Sequence, residues 1–165
     1  MGTKSLLLGE LESETANTRR ILERLTDEHL DWRPHEKSMS VKSLAHHIVG
    51  LHNWIYEALP KAQFDLQVDF KPAKVTSIAD LKAMLESGYA LNKKMIEEAS
   101  PESWEEEWTL KTGDYIIAKV NRAAGLRFII NNHLIHHRGQ LTVYLRLLGI
   151  PVPGLYGPSA DEHNG

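Results

Sequence analysis

Cysteine is absent from the 165-residue chain. That excludes a disulfide framework, a cysteine nucleophile and a thiolate metal site, so any metal must be held by His, Asp, Glu or water. The absence also fits a reducing cytosol. An excess of positive charge is missing too: 19 Lys and Arg stand against 22 Asp and Glu, for a formal net charge of −3. The chain therefore lacks the basic footprint of a nucleic-acid binder, and no nucleic-acid partner is expected. No apolar run approaches the roughly 18–20 residues of a membrane-spanning helix. The stretch Met1 to Leu6 is too short in apolar residues for a signal peptide, and Leu6 stands where a myristoylation motif wants Ser or Thr. These absences predict a soluble, cytoplasmic protein with no membrane partner. H-E-x-x-H, G-x-S-x-G and P-loop patterns are all missing, as are inward-facing Glu-x-x-His pairs of the diiron bundles.

What is there is ordinary globular composition, 42% hydrophobic and 25% charged, at a length that suits a single domain over 1–165. Leu8, Leu11, Thr15, Thr18, Leu22 and Leu25 recur at three-four spacing, which predicts an amphipathic helix from about Thr3 to Leu25. Glu10, Glu12, Glu14, Arg19, Arg20, Glu23 and Arg24 are expected on its other faces. Residues 27–39 read as a connection. Ser40 is a good N-cap for a second helix running to Leu59, before Pro60, with Leu44, Ile48, Leu51, Ile55 and Ala58 as its stripe.

Residues 60–76 read as a loop. Ser77 caps a third helix with Asp80 in its first turn, and Leu81, Met84, Leu85, Gly88, Leu91 and Met95 mark its inner face until Ser100-Pro101. Trp108-Thr109-Leu110 and Tyr115-Ile116-Ile117 flank Lys111-Thr112-Gly113-Asp114, the pattern of a short β-hairpin. Asn121 caps a fourth helix to about Leu148, stopped by Gly149, Pro151 and Pro153, and the tail beyond is expected to wrap back over the bundle. The fold class expected is all-α, a four-helix bundle with long connections and a short β-hairpin before the last helix.

Within the fourth helix, Leu126, Ile130, His133, His137, Leu141, Tyr144 and Leu148 follow one stripe. His133 and His137, four apart, project from the same side. Two imidazoles among core positions are costly unless they find partners, and a metal ion uses both at once. On the second helix, at about 100° per residue, His47 falls inside the stripe while His46 falls nearly opposite it, toward water. The expected ligand set is therefore His47, His133 and His137. Three neutral imidazoles leave a coordination position for water or substrate. All-nitrogen ligation suits zinc, nickel, iron, cobalt or copper and is poor for magnesium or calcium. Zinc or nickel is the first expectation, with iron, cobalt and manganese behind.

The plainer alternative is a set of hydrogen-bonded core histidines. His136, about 60° from His133, is a candidate neighbour or substitute ligand. Gln140 and Tyr144 project along the same side, where they would either orient a ligand or pack the bundle. Arg138 lies toward the flank, where pairing with a carboxylate is its simplest use. His29, His35, His52 and His163 lie off the stripes or in loops and read as solvated, and Trp32, Trp54, Trp104 and Trp108 read as packing residues.

Two blocks carry a family resemblance. Ser43-Leu44-Ala45-His46-His47-Ile48 and His133-Leu134-Ile135-His136-His137-Arg138-Gly139-Gln140, the latter followed by Leu145-Arg146-Leu147-Leu148-Gly149 and Pro151, resemble the DinB/YfiT-like superfamily of metal-binding four-helix bundles. The second block is similar to that family's H-x-x-x-H-R-G-Q signature. The resemblance implies a divalent metal on His47, His133 and His137, and a homodimer. It also implies a mixed range of activities: S-transfer from low-molecular-weight thiols, thiol-dependent isomerisation, or hydrolysis. The expected function is thus a metal-dependent transferase- or hydrolase-like enzyme, and the alternative is a non-catalytic stress or ligand-binding bundle.

Overall fold

Ser40 and Ser77 do what their positions predict. In the computed structural model, which describes residues 2–162, the Ser40 hydroxyl accepts from the Ser43 N–H, and Ser77 and Asp80 form a reciprocal capping box. These caps open α2 (Val41–Glu57) and α3 (Ile78–Glu98). They are preceded by α1 (Thr3–Leu22), which buries Leu11, Thr15, Thr18 and Leu22 as its spacing requires. Helix α3 lies against both α1 and α2, and α2 also packs on the last helix. His163 lies outside the described residues.

The sheet is larger than the expected hairpin. Strands β2 (Glu107–Thr112) and β3 (Tyr115–Asn121) pair antiparallel, turning at Gly113 with φ of 59°, and a short β1 (Gln63–Asp65) joins β2 in parallel. So residues 60–76 are not all loop: Phe64 and Asp65 are buried there, and Phe64 packs on Trp54.

The last helix is continuous but not uniform. Asn121 caps it by accepting from the Ala124 N–H, an α-helical turn α4 (Arg122–Ala124) follows, and Gly125–Asn131 is π-helical before α5 (Asn132–Leu147). A π turn closes i→i+5 bonds and so holds one more residue than an α turn. Through it and beyond, the buried line runs Leu126, Ile130, Leu134, Arg138, Leu141, Leu145. Leu126, Ile130, Leu141 and Tyr144 are buried as expected, but at the histidine positions the core line passes through the next residues, Leu134 and Arg138, and His133 and His137 stand on its flank.

Three further positions depart from the sequence reading. Leu91 is exposed, and Asn92 and Ile96 take its place on the inner face of α3. Glu14 is buried, where Arg138, equally buried, donates to its carboxylate and backbone carbonyl; Tyr156 of the tail also donates to that carboxylate. His52 is only 1% exposed because α2 is the central helix and buries more than one face. The His52 ring lies between Thr15 of α1 (2.9 Å), Asn53 (3.0 Å) and Asn92 of α3 (3.3 Å).

Candidate metal centre

The π-helical displacement turns His133 and His137 toward α2, where His47 waits one residue off the buried Ile48. The three imidazoles converge edge to edge. His47 Nε2 lies 3.4 Å from His133 Nε2, and His137 Nε2 lies 2.8 Å from the same atom. One ligand atom from each of the three lies within 4.8 Å of the others, a group that could hold a metal ion. A tetrahedral ion with metal–nitrogen bonds of ~2.05 Å places its ligand nitrogens about 3.3 Å apart, so the observed separations bracket that value. The donor set is all imidazole, with no carboxylate in it.

Burial and the neighbouring rings favour the neutral form of His47 and His133. Burial pushes the His47 pKa down to about 4, helped by His137, His133 and His46 close by. His133 is lowered for the same reasons, burial first and then His137 and His136. Neutral rings have free lone pairs, the form in which imidazole ligates. Gln140 fixes one of them: its Oε1 sits 2.8 Å from His137 Nδ1, so Nδ1–H donates there and Nε2 keeps its lone pair toward the cluster. The Gln140 amide in turn lies 3.2 Å from His136 Nε2. His136 is thus beside the cluster and outside it.

Tyr144 lines a surface pocket together with His137 and Gln140. It is buried, donates to the Met39 carbonyl (3.1 Å) and packs edge-on against Trp32. His46 is half-buried rather than solvated, and burial lowers its pKa. It and His47 line one end of a cavity of about 330 Å³ that runs along α2 toward Trp54. That cavity was not legible in the sequence as a site, because its far wall comes from the loop around Phe70.

A four-helix bundle with a small sheet and a three-histidine cluster between α2 and α5 defines the class. The chain belongs to the DinB family, whose model matches residues 1–164. It is 26% identical over 152 residues to the uncharacterized protein YrdA of Bacillus subtilis strain 168, covering 92% of this chain and 86% of that protein. Among solved structures it is similar to a DinB-like protein from Bacillus cereus ATCC 10987, with a TM-score of 0.69 at 23% identity, covering 91% of this chain and 95% of that one. The DinB-like protein YjoA of Bacillus subtilis gives the same TM-score of 0.69 at 20% identity, covering 96% and 99%. At these identities the two structures speak to the fold alone. No described helix is long and apolar enough to cross a membrane.

Proposed function

We propose that His47, His133 and His137 hold a divalent metal ion, zinc or nickel before iron, cobalt or manganese, and that the protein is a metal-dependent enzyme of the transferase or hydrolase type. The observation that carries this reading is the convergence of three imidazoles, one of which, His47, also lines a cavity of about 330 Å³. An ion held there would supply Lewis acidity, lowering the pKa of a coordinated thiol or water. His47 would hold it from α2 and His133 and His137 from α5, Gln140 holds the His137 tautomer, and the cavity beside His47 would give a substrate room next to the ion. Because the chain has no cysteine, sulfur chemistry requires a low-molecular-weight thiol as cosubstrate. We favour thiol transfer over hydrolysis by analogy with the thiol S-transferases of the DinB/YfiT-like superfamily.

The non-catalytic reading, a closed metal-stabilised bundle, predicts side chains packed over the histidines; the cavity lined by His46 and His47 favours an open site instead. The test is spectroscopic titration of the cobalt-substituted protein with small thiols. Thiol activation predicts a new sulfur-to-metal charge-transfer band that saturates. An unchanged spectrum on a fully cobalt-loaded sample would remove the thiol reading and leave hydrolysis. The same reading includes a homodimer, to which the exposed Val143 and Leu147, one turn apart on α5, offer an apolar strip. Sedimentation analysis showing only monomer would remove that part.

A further inference from the structure

One face of α2 has a pattern that packing alone does not require. Ser43, His46, His47, Gly50, Trp54 and Glu57 recur at helical spacing and all line the cavity. Gly50 is the anomaly among them. It sits in a helix interior, its φ is not positive, and a Cβ built on it meets nothing within 4 Å. Neither backbone conformation nor close packing asks for glycine, although glycine in a helix interior is costly relative to alanine. Gly88 on α3 is the contrast, since there an added Cβ would collide with Asn53 at 1.8 Å. What Gly50 leaves free is the floor of the cavity, midway between His47 and Trp54.

The walls above that floor are apolar. Leu51 and Trp54 come from α2, Met84 from α3, and Phe70 from the loop, its ring edge-on to Trp54 at 6.0 Å. Phe70 and Met39 are 41% and 42% exposed at the rim, a cost in water that an apolar occupant would relieve. The volume, about 330 Å³, is roughly twice the ~150 Å³ that takes up a benzene molecule. Along α2 the distance from His47 to Glu57 is about 15 Å at ~1.5 Å per residue. The space therefore extends along α2, with His46 and His47 toward one end, where His47 joins it to the histidine cluster, and Glu57 toward the other.

We propose that this cavity binds the apolar tail of a small organic molecule, aryl or arylalkyl in class, whose polar head reaches the histidine cluster, and that Gly50 sets the size of tail admitted. The head depends on the metal reading given above; the tail site does not. Two probes separate them. The first is 4-phenylbutanamide, which has a tail and no metal-binding head, titrated into metal-free protein and followed by the NMR signals of the Trp54 indole and the Met39 and Met84 methyls. Saturable shifts of these signals are expected. Gly50→Leu should weaken the binding at least tenfold, and Gly50→Ala by a smaller factor while raising the thermal midpoint. Absence of saturable shifts in the unmodified protein, or equal affinity in folded Gly50→Leu, would overturn the proposal.

The second comparison sets 4-phenylbutanehydroxamate against acetohydroxamate on zinc-loaded protein by calorimetry. The tail should raise affinity at least tenfold in the unmodified protein, and that gain should vanish in Gly50→Leu while acetohydroxamate binds as before. A tail that adds nothing to the hydroxamate's affinity would also overturn it. Failure to load zinc at all would instead count against the metal site, with the amide probe still deciding the cavity.

Discussion

The most informative single residue outside the cluster is His52. Burial holds its pKa down at about 4, against an ordinary value near 6.5. The unfolded chain therefore binds a proton that the folded chain refuses. The resulting stability is present above pH ~6.5 and is lost as pH falls toward 4, with a full loss on the order of 3 kcal/mol. Urea titrations at pH 7 and pH 4.5 should show this loss, and His52→Gln should make the difference between the two pH values smaller. Gln140 gives the second residue-scale prediction. Gln140→Leu removes the acceptor for His137 Nδ1, and should weaken zinc affinity by about 10- to 100-fold without altering the helix content. Unchanged affinity in a competition titration would assign Gln140 to packing.

At the scale of elements, the π-helical stretch decides where the histidines point, and it explains what the sequence could and could not tell. The i, i+4 spacing of His133 and His137 and the position of His47 beside Ile48 are local facts, so the cluster was legible. The extra residue held by Gly125–Asn131 is not visible to a uniform 3.6-residue period. For that reason Arg138 was expected on the flank and is instead buried, and Glu14 with it. His52 escaped notice for a related cause: one apolar stripe was sought on a helix that packs on more than one face. Leu91 and Asn92 differ by a single position, which only the packing of α3 against α2 decides, through the hydrogen bond from the Tyr56 N–H to Asn92 Oδ1.

The Arg138–Glu14–Tyr156 cluster ties α5, α1 and the tail together. Arg138→Met alone would leave a buried carboxylate without its cation, a loss of about 3–5 kcal/mol, and pairing it with Glu14→Met should recover most of that. Chemical denaturation of the two variants checks this, and equal instability of both would mean that geometry rather than charge is at stake. Loss of the cap in Ser77→Ala should cost about 1 kcal/mol by the same measurement.

At the scale of the whole molecule, the bundle brings His47 and the pair on α5 together from positions 86 and more residues apart in sequence. A metal bound only to the folded arrangement stabilises it by mass action, by about 2.7 kcal/mol at 100 times Kd. Thermal melts with added zinc should therefore rise with concentration, and the rise should disappear as pH falls through the range in which the imidazoles protonate. The measurement that tests the central claim most directly is the metal content of the purified protein beside His47→Ala and His137→Ala. The account predicts close to one divalent ion per chain in the parent and a large loss in both folded variants. Unchanged, stoichiometric metal in both would contradict it.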